Sequence, residues 1–288
     1  MQIPILLPNI FNYPFTYESD KKLNPGTYVK VSFGRKTITG VVWDQFEKNS
    51  NKKFEIKSVK EKLKIHPLKK EIVSFLNWFS NYNLIPLGMA LKLHLLSGNA
   101  IEEQDKSEYQ KYQTIINKEK YCLSFEQEKA FKELIKKDNL FRVHLLQGTT
   151  GSGKTIVYFK ALEKVITRQK QALILLPEIG LTGEFEKKFK NFFGFEAAVW
   201  HSKITPKKKK IIWSGLANGE IKVAIGARSS LFLPFQKLGL IIVDEEHDQS
   251  FKQDEGITYN ARDMAIARAS KENIPINLVT AVPSIETY

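Results

Sequence analysis

The sequence predicts an α/β protein: a parallel sheet covered by helices on both faces, preceded by a smaller β-rich domain. Three observations carry this. From Phe141 onward, short apolar runs alternate with helical patterns, at Phe141–Leu146, Ala172–Leu176, Ile221–Ile225, Leu238–Val243 and Ile276–Val279. Apolar strands alternating with helices belong to parallel sheets buried on both sides. A glycine-rich stretch, Gly148–Gly153, follows the first run and opens a helix. The first 60 residues instead carry short runs punctuated by Pro4, Pro8, Asn12, Pro14 and Pro25-Gly26, as a β-rich domain does. A length of 288 residues fits about two domains.

The elements follow in order. Tyr28–Phe33 alternates as a half-buried strand should, Gly34-Arg35 reads as a turn, and Thr37–Trp43 as the hairpin partner. Lys48–Lys53 is a polar loop. Leu68, Ile72, Phe75, Leu76 and Phe79 form one helical stripe, and Leu87–Leu96 a second, shorter helix. We expect a β-rich domain over 1–98, a polar linker over 99–120, and the parallel-sheet domain over 121–288. Ser124-Phe-Glu-Gln127 fits a capping box opening a helix to about Lys137. Helices should start near Gly153 and Leu181, and the run Lys207–Lys210 reads as a solvated helix start.

Composition narrows the function classes. A formal charge of +13 suits a polyanionic partner such as nucleic acid. Cys122 is the single cysteine, so neither a disulfide framework nor a structural zinc site fits within one chain, and the composition suits a reducing cytoplasm. No stretch reaches the ~18 apolar residues of a spanning helix, so no membrane partner is expected.

Gly148-Thr149-Thr150-Gly151-Ser152-Gly153-Lys154-Thr155 matches G-x-x-x-x-G-K-T between a strand and a helix. Glycines let backbone N–H groups turn inward around phosphate oxygens, and the helix N-terminus adds a favourable partial charge. Lys154 would reach the β- and γ-phosphates, and Thr155 would hold Mg²⁺ through its hydroxyl. The buried run Leu238–Val243 then delivers Asp244, Glu245, Glu246 and His247. Asp244 at a strand's C-terminal end can hold Mg²⁺, beside the phosphate loop if the two strands neighbour. Glu245 can orient a water and accept its proton. Glu246 and His247 are less defined by chemistry alone; His247 either bonds across a loop or joins the site.

Asp244-Glu-Glu-His247 resembles the second helicase motif of the primosomal replication-restart helicases, the PriA family of superfamily 2. Pro177-Glu-Ile-Gly-Leu-Thr182, Gly226-Ala-Arg-Ser-Ser-Leu-Phe-Leu-Pro-Phe235, and the span from Asp248 through Tyr259-Asn-Ala-Arg-Asp263 are similar to further motifs of that family. So are Phe15-Thr-Tyr17, Gly34-Arg35, Gly40-Val-Val42, Trp78, Tyr82, Pro86 and Gly88. The resemblance implies a RecA-like motor lobe behind a domain that grips a DNA 3′ end. It implies an ATP- and Mg²⁺-dependent 3′–5′ DNA helicase acting at stalled forks and in primosome assembly. It implies Lys154, Asp244 and Glu245 as catalytic groups, Gln127 as an adenine contact, and Glu246 and His247 as a coupling motif. It places Phe15, Thr16, Tyr17, Lys57, Arg228, Phe251, Lys252, Tyr259 and Arg262 against DNA.

The chain departs from the family pattern at four points. Thr16 stands where the family usually has Asp. Residues 99–120 are too few for the winged-helix domain expected between the two halves. Thr280-Ala-Val-Pro-Ser284 replaces S-A-T-P-S, so Val282 removes a hydroxyl. The sequence ends at Tyr288, before a second motor lobe, its arginine finger and the family's zinc-binding cysteines. An arginine finger contributes about 10³–10⁵ in rate. The expectation is a shortened form with weak or no turnover alone. The alternatives are a non-enzymatic DNA- and ATP-binding remnant, or half of a split helicase completed by a separate C-terminal polypeptide.

Overall fold

The computed structural model describes residues 1–44, 56–95, 106–112, 121–136, 139–180 and 182–287. The polar loop expected over Lys48–Lys53 lies outside them. The N-terminal half builds an antiparallel sheet from β1 (Gln2–Leu6), β2 (Phe15–Glu18), β3 (Tyr28–Phe33), β4 (Lys36–Val42) and β5 (Val59–Lys62), in the order β2-β1-β4-β3-β5. The expected hairpin is present: Tyr28 pairs with Val41 and Phe33 with Lys36, leaving Gly34-Arg35 as the two-residue turn, with Gly34 at φ +57°. Helices α1 (Lys70–Tyr82) and α2 (Leu87–Leu95) follow. Ile72, Phe75, Leu76 and Phe79 make the buried stripe of α1.

The second half begins with α3 (Phe125–Leu134), where Ser124 and Gln127 form the expected capping box. Then come β6 (Arg142–Gln147), α4 (Lys154–Thr167), β7 (Gln171–Leu175), α5 (Gly183–Phe193), β8 (Ala198–Trp200), α6 (Pro206–Ala217), β9 (Val223–Gly226) and β10 (Leu238–Asp244). A small ribbon, β11 (Lys252–Gln253) with β12 (Tyr259–Asn260), leads into α7 (Ala261–Glu272) and β13 (Pro275–Thr280). Six strands form one parallel sheet in the order β6-β13-β10-β7-β9-β8. Successive strand residues point to opposite faces. Leu173, Leu175, Ile241 and Val243 join one core, while Ala172, Ile174, Leu240 and Ile242 join another, formed with α4 and α5.

The first of those cores does not stop at the motor lobe. It runs on through Tyr28, Trp43, Phe75, Phe79 and Leu91 of the N-terminal half. A polar linker was expected over 99–120, and the described residues on either side of it share apolar packing. Part of the expected linker contributes as well. Lys106–Tyr112 is a short 3₁₀ helix whose Tyr109 and Tyr112 are buried in the same core, and whose Glu108 pairs with Lys207 of α6 at 3.0 Å. Lys207–Lys210 does start a helix, capped by Thr205. Among the described residues no helix is long and apolar enough to cross a membrane.

Candidate nucleotide and nucleic-acid site

The phosphate loop joins the end of β6 to the start of α4. Gly151 and Gly153 sit at φ +82° and +81°, the left-handed region that only glycine enters without strain. Lys154, the first residue of α4, folds back over the loop: its ammonium donates to the carbonyls of Gly148 at 2.7 Å and Thr149 at 3.1 Å. Neither partner is charged, so the cation is held where an anion could take it. Gln127 has two tasks at once. Its Oε1 accepts from the Ser124 N–H at 3.0 Å, and its Nε2 donates to the Ser152 carbonyl at 2.9 Å. The helix cap thereby props the loop, and an adenine contact by this amide requires these bonds to exchange.

Asp244 ends β10, but β6 is not the neighbouring strand; β13 lies between them. What links the two loops is therefore the end of β13. The Gly148 N–H donates to the Thr280 carbonyl at 3.2 Å, and His247 Nδ1 lies 2.7 Å from Thr280 Oγ1. The Thr280 hydroxyl gives its one proton to the Val282 carbonyl at 2.8 Å, so His247 Nδ1 carries the proton in their shared bond. Tyr158, one turn into α4 from Lys154, donates to Asp244 Oδ2 at 2.8 Å. Burial pushes the Asp244 carboxyl above its usual range; the Glu245 charge adds to this, while the Tyr158 bond and Lys154 oppose it. Among the described residues no cationic side chain pairs directly with Asp244.

The next two residues diverge. Glu245 has a left-handed backbone (φ +51°) and a half-exposed side chain with His247 Nδ1 at 3.7 Å. Strain of about 1–3 kcal/mol at a non-glycine residue of this kind is held by surrounding structure, commonly at functional sites. Glu246 is buried. Its carboxylate accepts from the Ser284 N–H (2.9 Å), the Ser284 hydroxyl (3.2 Å), the Thr287 hydroxyl (2.7 Å) and Arg262 Nη1 (3.3 Å). Burial alone would raise this carboxyl, but those donors outweigh it and hold it below the usual range. The departure at Val282 is easily placed: the side chain points to solvent, and the links from this segment to the tetrad run through Thr280 and Ser284 instead.

Among the residues expected to contact DNA, Arg262, Phe251, Tyr259 and Tyr17 are buried. Arg262 is committed to Glu246, Asp263, Ser284 and Thr287, and only 7% of it is exposed. Phe251 is buried, and Tyr259 packs its ring edge-on to Phe79 and Phe232. None of Arg262, Phe251 and Tyr259 presents a face for a base or phosphate here. Arg228 is partly exposed but holds the Lys252 carbonyl at 2.8 Å and lies 3.6 Å from Glu178. Lys252 is exposed, with Asp254 at 3.5 Å. In the N-terminal half Phe15 joins a ring cluster with Phe11, Tyr13 and Phe33, while Thr16 and Lys57 are exposed. Tyr17 is buried, and its hydroxyl donates to the Ser32 carbonyl at 2.9 Å. The sequence reading missed Tyr158, Thr280, Ser284 and Thr287. Tyr158 left a signal in its i+4 spacing from Lys154, and Thr280 and Ser284 in the motif they delimit, though no contact to the tetrad was read from it.

A parallel sheet with a glycine loop after one strand and a carboxylate pair after another defines a P-loop nucleotide-binding lobe. The DEAD/DEAH box helicase family matches residues 124–288, and a 3′DNA-binding domain (3′BD) matches residues 2–95. The chain is 41% identical over 285 residues to the replication restart protein PriA of Rickettsia conorii, covering 98% of this chain and 43% of that one. It is 36% identical over 275 residues to that of Helicobacter pylori, covering 96% and 42%. The chain belongs to the PriA family of DEAD/DEAH box helicases, and it spans about two fifths of the length of the curated relatives it matches. Membership implies use of a nucleotide.

Proposed function

We propose that the chain binds ATP with Mg²⁺ and DNA with a 3′ end, as the DNA-gripping domain and first motor lobe of a replication-restart helicase. The observation that carries this reading is Thr280, whose carbonyl holds the phosphate loop and whose hydroxyl holds the tetrad. Lys154 exchanges its two carbonyl partners for phosphate oxygens. Thr155 and Asp244 would supply oxygen ligands to Mg²⁺, as a hard cation requires. When bound, the cation neutralises charge on the phosphates. Glu245 orients a water and accepts its proton as the water oxygen bonds to the γ-phosphorus and the β–γ bridging oxygen leaves.

The curated relatives are more than twice as long. We assign 3′–5′ unwinding to this chain acting with the portion those relatives carry in addition, in the same chain or as a separate polypeptide, and with other primosome proteins. Binding of a fluorescent ADP analogue and of a 3′-ended oligonucleotide tests the reading directly. Lys154→Ala should weaken nucleotide binding by about 10–100-fold, the worth of one or two charge-assisted bonds. It should leave oligonucleotide affinity unchanged. Undiminished nucleotide affinity in this variant would refute the assignment of the phosphate loop.

A further inference from the structure

Between β9 and β10 lies a single 3₁₀ turn, Arg228–Phe232, with Leu233 following. Its carbonyls point into the shared core, where water cannot satisfy them, and three in succession are taken by buried side chains. Arg268 of α7 donates through Nη1 to Leu231 and through Nη2 to Leu233, the latter at 3.0 Å. His94 of α2 holds Phe232 between them, with Nδ1 at 2.8 Å from the carbonyl oxygen. A carbonyl only accepts, so Nδ1 carries the proton and Nε2 is left to accept. The Tyr28 hydroxyl of β3 donates to it at 2.8 Å. Trp213 of α6 donates to the His94 carbonyl at 3.0 Å. Tyr28, His94, Trp213 and Arg268 are each essentially inaccessible to solvent.

The two ends of this chain of bonds matter more than its middle. At one end, β3 begins at Tyr28 and ends at Phe33, roughly 17 Å on at strand rise. There the Phe33 ring centroid is 5.3 Å from that of Phe15 and 6.5 Å from that of Phe11, in the ring cluster of the 3′DNA-binding half. At the other end, the turn presents Arg228. That guanidinium grips the Lys252 carbonyl and Glu178, so it ties together the loops that follow β7 and β10. The second of these loops leads into the first turn of α7, where Arg262 donates to Glu246, the residue after Glu245.

We propose that the Arg228–Phe232 turn is a lever shared by the two halves, through which occupancy of the N-terminal domain changes nucleotide affinity at Lys154 and Asp244, and that Tyr28, His94 and Arg268 are its positioning residues. Buried polar groups held by several short bonds have few alternative arrangements, so a shift of β3 must move the turn or break the network. The two ligands are then coupled reciprocally, with a factor of roughly 5–150 typical of such linkage.

This inference rests on the function proposed above. Its test is a pair of dissociation constants for a fluorescent ADP analogue, without and with a saturating 3′-ended oligonucleotide, on the full chain. The wild type should show at least about a five-fold change. Tyr28→Phe removes one hydroxyl and keeps the ring, and His94→Gln keeps a donor. In both, the change should collapse to within about two-fold, while each ligand alone binds as in the wild type. A merely structural role would lower stability yet leave the ratio of constants intact. Both ligands binding independently in the wild type, or a ratio that survives in both variants, overturns the lever alone. Failure of either ligand to bind overturns the function on which it rests.

Discussion

The seam between the two halves and the open end of the motor sheet contain similar chemistry under opposite conditions. At the seam, Arg268, His94 and Tyr28 lie out of reach of water, and their short bonds reach partners from distant parts of the chain. At the sheet's open end, Lys154, Glu245 and His247 are partly exposed, and their contacts are with backbone carbonyls, a hydroxyl or each other. A buried polar group without its partner is costly, so the seam holds one arrangement. The exposed charges can change partners with little loss, as a ligand site requires. Polar groups fix geometry in the first region and remain available for exchange in the second.

The strongest way to break that contrast is to remove the buried cation. Arg268→Ala strands the Leu231 and Leu233 carbonyls, and deprives the Glu272 carboxylate, 3.6 Å away, of one of its two cations; the other is Lys69 at 3.1 Å. A loss of about 3–5 kcal/mol in urea unfolding is expected. Lys154→Ala should cost less than ~0.5 kcal/mol by the same measurement, because its bonds are short-range and wet. Similar losses in the two variants would mean the seam is no more committed than the site.

Acidification probes the seam without mutation. Burial pushes the His94 imidazole down to about 4 against an ordinary 6.5; the Phe232 carbonyl opposes this and the Arg268 charge adds to it. The unfolded chain therefore binds a proton between those values that the folded chain refuses. This contribution is fully present above about pH 6.5 and is lost as pH falls toward 4. Its ceiling is on the order of 3 kcal/mol. His94→Gln should flatten the fall in stability across that window, and an unchanged slope would show that His94 does not titrate as its surroundings require.

Local backbone chemistry at the open end gives a smaller effect. An added Cβ on Gly151 meets nothing, so Gly151→Ala isolates the cost of a left-handed alanine, about 1–2 kcal/mol. Gly153→Ala adds a collision, since the new Cβ would sit 2.5 Å from Gln127 Nε2. Its additional cost should largely vanish in a Gln127→Ala background, and a double-mutant cycle in thermal unfolding measures this.

The motor strands, the capping box and the phosphate loop were legible because each is written in adjacent residues. Apolar runs, Ser124 with Gln127, and Gly148–Thr155 need no distant partner to be recognised. The seam was not legible. His94 and Phe232 are 138 positions apart, and nothing in a short window marks a histidine that will be buried and neutral. Helix α7 escaped for a related reason: it buries Arg262 and Arg268, so its charge pattern reads as a solvated face. Thr280 was read only as part of a motif with a missing hydroxyl at Val282. Its role emerges because β13 inserts between β6 and β10, an order that strand alternation does not specify.

The loop from Phe251 to Tyr259 places both kinds of behaviour side by side, and separates them by the smallest expected change. Phe251 and Lys252 are consecutive, one almost fully buried and the other with about two thirds of its side chain exposed. Phe251→Ala should cost about 3–5 kcal/mol in stability, as other buried phenylalanines do. Lys252→Ala should leave stability within about 0.5 kcal/mol. If Lys252 meets a phosphate, its removal lowers the slope of log affinity against log salt by close to one for the oligonucleotide, with a uniform loss across sequences. An unaltered slope would assign Lys252 wholly to its exposed pair with Asp254. The loop's part in DNA binding would then pass to its backbone and to Arg228, which already holds the Lys252 carbonyl from the seam side.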